Sequence, residues 1–307
     1  MTDESEIARD PWCRWVLHGR NGGNEDYEGH LRSEIQQYID HLLARARLEP
    51  GMTLLDIGTG NGAVAFRAIE RVGPSLRVIL TDISKSLLLH TQARARKLGV
   101  EHQCSFIACG AEQLPAIADE SVDVVTSRAA LAYVSDKTGA IREFGRVLKP
   151  GGRLCLAEPV FQDEAVEVCA LRSMAERDRD AAADPMKQLL HRLKAAQLPD
   201  TVAAIAANPL TNFSERTLFL MLRNADFFPI NVQLHMDLAP SAMTSWEIFL
   251  HSSPHPLAPT PFSVLETQFS AQERQWFESA LRPVIELGRG TSLSSVAHIQ
   301  ATKPLQC

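Results

Sequence analysis

The chain has no run approaching ~20 uninterrupted apolar residues, the length a helix needs to cross a bilayer, so the sequence predicts no membrane span. It also lacks the basic and apolar opening of a signal peptide. The first residues, Met1, Thr2, Asp3, Glu4, Ser5 and Glu6, are acidic and polar, which points to the cytoplasm. Lys/Arg clusters of the nucleic-acid-binding type are missing, and a net charge of -6 argues against nucleic acid as the main partner. Cysteine is sparse and irregularly spaced: none of the 6 forms a Cys-x-x-Cys pair, which speaks against a zinc ribbon or a thioredoxin-like site. Cys155, flanked by Leu154 and Leu156, reads as a buried thiol of a reducing compartment. Neither an internal repeat nor a low-complexity segment is present. The remaining composition, 45% hydrophobic and 22% charged over 307 residues, suits one large globular domain or one domain with a lid.

What is present is an alternation of strand and helix. A helix is expected over 25–48, where Leu31, Ile35, Tyr38, Ile39, Leu42 and Leu43 recur at helical spacing, and Pro50-Gly51 ends it. Strands are expected at 53–57, 77–81, 104–108, 122–127 and 153–157, with helices at 63–71, 85–97 and 137–147 between them. Such alternation predicts a mostly parallel sheet with helices on both faces. After Pro159 the character changes. Residues 160–210 read as two or three helices, far longer than an ordinary connection. A helix at 214–225 and a strand at 230–236 follow, then a helix near 242–250 and a proline-rich loop over 253–261. A helix at 271–287 leads to a last strand at 295–302, which is expected to form an antiparallel edge pair with 230–236. The expected organisation is an N-terminal arm and helix (1–50, part of a lid), a core (51–159), a helical lid insertion (160–212), and a C-terminal part (213–307). The last holds strands 6 and 7 and a second lid insertion at about 240–265.

One run carries the chemistry. Leu54-Leu55-Asp56-Ile57-Gly58-Thr59-Gly60-Asn61-Gly62 is an apolar strand that meets an acid and enters a glycine turn. A second acid, Asp82, follows 20 residues after Gly62, at the end of Val78-Ile79-Leu80-Thr81. Glycines let a backbone approach a ligand closely, and an acid at that spacing accepts hydrogen bonds from ribose hydroxyls. Dinucleotide sites favour Gly-x-Gly-x-x-Gly facing a pyrophosphate. Here the third position of that pattern is Ala63, which it tolerates, while the glycines run Gly-x-Gly-x-Gly. Asp56 suits an ammonium better than a pyrophosphate. The loop leans away from a dinucleotide, and a nicotinamide oxidoreductase stays open as the weaker alternative.

The same run resembles motif I of the class I S-adenosylmethionine (SAM) dependent methyltransferases, and Asp82 with Ile83 falls where that family places its ribose-binding acid. Gly110-Ala111-Glu112-Gln113-Leu114-Pro115 is similar to the family segment that passes the adenine. Ser121-Val122-Asp123-Val124-Val125 and the turn Arg146-Val147-Leu148-Lys149-Pro150-Gly151-Gly152-Arg153-Leu154 complete the likeness, which spans about 30–158 and returns weakly at 214–303. The resemblance implies an α/β, Rossmann-like seven-stranded sheet with an inserted, largely helical lid. It implies SAM as cofactor and S-adenosylhomocysteine (SAH) as product. The cofactor-binding set it implies is Asp56, Gly58, Thr59, Gly60, Gly62, Asp82, Ile83, Gly110, Ala111, Glu112 and Arg128. Many relatives carry an acid for the adenine amino group where this chain has Gly110 after Cys109, which shifts that recognition to backbone groups and Ala111.

The resemblance also implies a methyltransferase acting on a small or medium-sized acceptor, with O-methylation first and N-, C- or carboxyl methylation open. A SAM-binding protein without catalysis is the rival of another class. Active sites of such sheets lie beyond the carboxyl ends of the strands. Candidate catalytic residues are therefore Glu158 after strand 5, Tyr133 after strand 4 and His18 in the arm, with Tyr27 beside it. Each has a plainer reading, as a loop cap, a core ring or a surface residue. Arg172, Arg177, Arg179 and Arg192 in the insertion suit a peptide or small-acid carboxylate, or else a solvated helix face paired with Asp178 and Asp180. His251 and His255 stand at the spacing of a helical metal pair, but Pro254 and Pro256 break any helix there, so no metal is expected. His235 reads as structural. A homodimer through an apolar lid face is left open.

Overall fold

The computed structural model describes residues 10–177 and 185–305. Asp178, Arg179, Asp180, Cys307 and the acidic residues 1–6 lie outside the described residues. The seven strands are β1 (Thr53–Ile57), β2 (Arg77–Asp82), β3 (Cys104–Ala108), β4 (Val122–Arg128), β5 (Leu148–Pro159), β6 (Ile230–Pro240) and β7 (Thr291–Thr302). They form one sheet in the order β3-β2-β1-β4-β5-β7-β6. The first five run parallel, and β7 lies antiparallel between β5 and β6. The 153–157 strand is longer than expected because the Lys149-Pro150-Gly151-Gly152 turn is itself part of β5.

Burial explains the arrangement. Leu54, Leu55, Asp56 and Ile57 of β1 are all buried, as a central parallel strand covered on both faces requires. Alternation then sorts the side chains. Leu54 packs with helices α1 (Glu25–Ala46) and α2 (Ala63–Val72), whereas Leu55 and Ile57 pack on the other face with α4 (Lys137–Val147). Helix α3 (Lys85–Lys97) flanks β2 and β3. Local caps set the starts: Asn24, Ser84 and Asp136 each accept a backbone N–H of the first turn.

Beyond β5 come α5 (Phe161–Arg177), α6 (Met186–Ala195), α7 (Val202–Ala207) and α8 (Glu215–Asn224), then α9 (Trp246–His251), α10 (Pro261–Gln268) and α11 (Ala271–Glu286). The α8 side chains Leu218 and Leu222 join the sheet core. Helices α6, α9, α10 and α11 instead build a separate apolar cluster of Leu189, Leu193, Trp246, Val264, Leu265, Phe269, Phe277 and Ile285. This cluster joins helices from the segment expected as a lid insertion to residues well past 265. Strands β6 and β7 also run four residues further than expected, Asp237–Pro240 pairing with Thr291–Ser294 as a ribbon that projects beyond the sheet. Among the described residues no helix is long and apolar enough to cross a membrane.

Candidate active site

The carboxyl ends of β1, β2, β4 and β5 meet at one edge of the sheet, and the site grows from there. Gly58, Gly60 and Gly62 all take positive φ, at 60°, 57° and 76°. At Gly58 a Cβ would sit 2.3 Å from the Ala130 Cβ, so the turn must be glycine to pass the loop after β4. At Gly60 a Cβ would meet nothing within 4 Å. It would project into open space, the cradle a bound ligand needs. The turn is pinned by Thr59 N–H donating to Thr81 O at 2.9 Å and by Gly62 N–H donating to Thr59 O at 2.9 Å.

Both acids are built in. The Asp56 carboxylate accepts the hydroxyls of Thr126 at 2.8 Å and Thr59 at 2.7 Å. Burial still pushes its carboxyl up to about 6, the two hydroxyls working against the shift. A cation bound against it would restore the charged form. Asp82 accepts Gly60 N–H at 2.9 Å on one oxygen and Ser84 N–H at 2.9 Å on the other. A carboxylate offers about four acceptor positions, so two remain for a diol. Burial raises its carboxyl above the usual range.

These groups line one cavity of about 930 Å³ that continues under the lid. Of the expected cofactor residues, Asp56, Gly58, Thr59, Gly60, Asp82, Ile83, Gly110, Ala111, Glu112 and Arg128 line it. Gly62 does not: it begins α2, where a Cβ would strike the Phe66 ring at 2.5 Å. The Arg128 side chain makes no hydrogen bond or ion pair to another described residue. Burial, then nearby Arg20, pulls its guanidinium down, while Glu158 and Asp56 pull it up. Arg20 lines the cavity too, held by Glu28 at 2.8 Å.

The candidate catalytic residues separate. Glu158 does not face an acceptor. It is fully buried, and its carboxylate accepts Ser127 Oγ–H at 2.6 Å and the backbone N–H groups of Ala130 at 3.0 Å and Ala132 at 3.1 Å. It ties down the loop after β4, so the loop-cap reading holds. His18 is exposed and off the cavity, because the wide-turned helix Trp15–Gly19 directs Trp15 and Val16 inward instead. Tyr133 does line the cavity, edge-on to Trp12 at 5.0 Å between ring centroids. Burial raises its phenol, so it stays protonated and serves as a donor rather than a base. Tyr27 lines the cavity and is raised by burial in the same way.

Other expectations fall on the lid. Arg172 pairs with Glu176 and Asp200 at 3.0 and 3.5 Å, and Arg192 pairs with Glu273 and covers the Phe269 ring at 4.5 Å. Neither lines the cavity, and their partners are Glu176, Asp200 and Glu273; the expected partners Asp178 and Asp180, and Arg179, lie outside the described residues. His255 hydrogen-bonds Gln197 O at 2.9 Å, and His251 lies beside Glu247. Among the described residues no group of three or more His, Cys, Asp or Glu is arranged to hold a metal.

Several contributors carried no sequence signal. Trp12 and Trp15 come from the arm, and Trp15 Nε1–H donates to Ser253 O at 2.9 Å, closing the arm onto the lid. Buried Lys137 donates to Val134 O at 2.8 Å and Pro209 O at 2.7 Å, linking the loop after β4 to the segment before α8. Burial brings its amine down to about 8. Glu164 and Lys194 come from the lid helices.

Residues 48–199 match the model of a family described as a methyltransferase domain. Over 118 residues, 38% of this chain, the sequence is 36% identical to the ubiquinone/menaquinone biosynthesis C-methyltransferase UbiE of Shewanella frigidimarina. That match covers 47% of the relative, so the chain spans about half the length of the curated relatives it matches. Among solved structures it resembles the YcgJ protein of Bacillus subtilis, with a TM-score of 0.53 and 19% identity over 88% of this chain and 100% of that one. It also resembles the [4+2]-cyclase SpnF, with a TM-score of 0.53 and 19% identity over 99% of this chain and 95% of that one. At these identities the structural likenesses speak to the fold.

Proposed function

Residues 48–199 belong to the class I SAM-dependent methyltransferases, and on that premise we propose that the chain moves the methyl group of SAM onto a small or medium-sized organic acceptor. The observation that carries this is the single cavity of about 930 Å³, which has the glycine turn and the two buried acids at one end and lid helices at the other. A flat macromolecular acceptor has no use for such enclosure. When bound, SAM supplies a methyl group already activated on a sulfonium. What the chain must add is alignment and exclusion of water.

The residues fit that task. Asp82 takes the ribose hydroxyls on its two spare acceptor positions. Gly110, Ala111 and Glu112 pass along the adenine. Asp56 faces the ammonium of the methionine part, and Arg128 with Arg20 faces its carboxylate. Trp12, Trp15 and Tyr133 close over the transfer point, and Tyr133 orients the acceptor through its hydroxyl proton.

Oxygen is the first receiving atom we propose. Carbon stands beside it, because the relative from Shewanella is named a C-methyltransferase. A carboxyl acceptor clamped by lid arginines loses its support, since Arg172 and Arg192 are engaged within the lid. The test is calorimetric titration of the purified chain with SAM and SAH, followed by labelled-methyl transfer to fractionated small molecules and alkali treatment of the product. SAM binding with alkali-stable transfer is expected. Binding with no transfer to any fraction favours the non-catalytic reading, and absence of binding overturns both.

A further inference from the structure

The lid half of the cavity is walled mostly by apolar side chains, among them Phe161, Leu190, Phe249 and Leu281. Two charged groups break that wall, Glu164 in the first turn of α5 and Lys194 near the end of α6. Neither side chain makes a hydrogen bond or ion pair with another described residue. Isolation of this kind is costly for a carboxylate, and the first-turn position of α5 offsets only part of the cost. Glu158, three residues before α5, takes the opposite course and is saturated by its own loop. Glu164 also lies close enough to Tyr133 to raise that phenol, which places it on the side of the lid that meets the cofactor end.

We propose that Glu164 is the general base of the reaction and that the acceptor is a weakly acidic hydroxyl, a phenol or an enol, carried on an apolar body. The inference rests on reading the cavity as a methyl-transfer site. Burial lifts the Glu164 carboxyl to about 7, with Lys194 pulling against the shift. A base of that strength is close to working pH, where general bases act best. Taking a proton from a phenol near 10 is then uphill by about a thousandfold. Taking it from an unactivated hydroxyl as weak as water is uphill by roughly a billionfold, which favours the phenol or enol over a simple alcohol. With Arg20 and Arg128 taken up by the cofactor carboxylate, Lys194 is the cation of the lid half, and its charge favours a forming oxyanion there over an ammonium.

In the step, the acceptor O–H bond breaks and its proton goes to a Glu164 oxygen. The electron pair left on the acceptor oxygen forms the new bond to the methyl carbon. The methyl–sulfur bond breaks with its pair remaining on sulfur. With the charge delocalised onto a ring carbon, the bond forms there instead, and the hydrogen on that carbon leaves as a proton afterwards.

The test uses the full chain loaded with SAH and three probes, 2-naphthol, decylamine and decanoic acid, with binding read by calorimetric titration. Labelled-methyl transfer from SAM to each probe is then measured across pH. The expected result is binding and methylation of 2-naphthol, with a rate that climbs about tenfold per pH unit and levels near 7. Glu164→Gln should lower that rate by about a hundredfold or more and flatten the profile, with SAH affinity unchanged. Lys194→Met should move the midpoint upward, because it removes the charge that favours ionised Glu164. Preference for decylamine or decanoic acid overturns the acceptor class. An undiminished rate in Glu164→Gln, or an unmoved midpoint in Lys194→Met, overturns the base. Failure of the wild-type chain to bind SAH strikes the methyltransferase reading itself, which separates the two.

Discussion

The floor of the cavity and its roof solve opposite problems. On the floor every buried carboxyl is answered: Asp56 by two hydroxyls, Asp82 by two backbone N–H groups, Glu158 by one hydroxyl and two N–H groups. In the roof the Glu164 carboxyl accepts no hydrogen bond from a described residue and draws charge support only from Lys194 among them, and the ion pairs there, Arg192–Glu273 and Arg172–Glu176, are partly exposed. A floor must present the same polar surface in every turnover, so its groups are fixed by the fold. A roof that admits varied apolar molecules needs few polar groups and free ones. Damage to the floor should therefore register as lost folding, and damage to the roof as lost turnover.

The largest expected effect tests that contrast directly. Glu158→Ala leaves Ser127 Oγ and the N–H groups of Ala130 and Ala132 buried without an acceptor, which should cost about 4 kcal/mol in urea unfolding. Glu164→Gln in the roof should unfold at the wild-type urea midpoint or above it, because it removes a carboxylate that burial disfavours and that no hydrogen bond answers. Equal losses from both would erase the distinction.

Acid should also separate the two regions. His298 of β7 is buried, with neither ring nitrogen hydrogen-bonded, and it faces His41 and Arg45 of α1 and His235 of β6. Tyr38 stacks on it at 5.9 Å. Burial, then His41, His235 and Arg45, brings its imidazole from 6.5 down to about 4. Between those values the unfolded chain is the one that binds a proton at this site, so His298 withdraws stability as pH drops from 6.5 towards about 4, while the carboxyls of Asp56 and Glu164, held up by burial at about 6 and about 7, work in the opposite direction. The His298 contribution is about 3 kcal/mol, and His298→Gln should remove it, so that the variant loses less stability in acid than the wild type. The lid pair behaves differently: Arg192 holds Glu273 at about 2, so its charge survives throughout that window. Unfolding of the sheet edge before the lid, followed by hydrogen exchange from pH 7 to 4, is the expected order.

How much of this was legible in the sequence follows the same division. The parallel core could be read because each strand is buried on both faces and each helix carries its period and cap; the bounds 85–97, 104–108 and 137–147 are those the structure has. Asp56, the glycines and Asp82 were legible because a backbone that approaches a ligand needs unusual residues at fixed spacing. For Glu158 the sequence left a catalytic and a loop-cap reading open, because its donors Ala130 and Ala132 are backbone groups 28 and 26 residues away, which leave no mark on the sequence. The ribbon over 237–240 was missed because it is exposed on both faces and so has no alternation. Glu164 was hidden among Asp163 and Glu167, where acids in a first helical turn need no further reason. Only the lid, folded over from distant segments, makes Glu164 a cavity residue.

A smaller effect distinguishes two glycines of one turn. Gly60→Ala takes on left-handed strain but meets no atom within 4 Å, so folding should weaken by only about 1 kcal/mol. The new methyl points where the cofactor is proposed to lie, and SAM affinity measured by calorimetry should fall by about tenfold or more. Gly58→Ala adds the clash with Ala130 and should cost folding about 2 kcal/mol more than Gly60→Ala. If both behave alike, the open space at Gly60 has no bearing on binding.

The smallest effect decides what the lid arginines are for. Arg172 is paired at helical spacing with Glu176 and at 3.5 Å with Asp200, all on the outer surface. Exposed pairs contribute about 0–1 kcal/mol, because water screens the charges and holding two long side chains costs entropy. Arg172→Ala should therefore leave the urea midpoint and KM for any acceptor unchanged. A carboxylate acceptor gripped by this arginine would instead demand a KM raised by about tenfold or more, since a charge-assisted hydrogen bond lost on binding is worth about 1.5–3 kcal/mol. Measuring KM beside stability for this one variant therefore decides whether the roof recognises its acceptor by charge pairing on α5 or only by shape and the single carboxyl of Glu164.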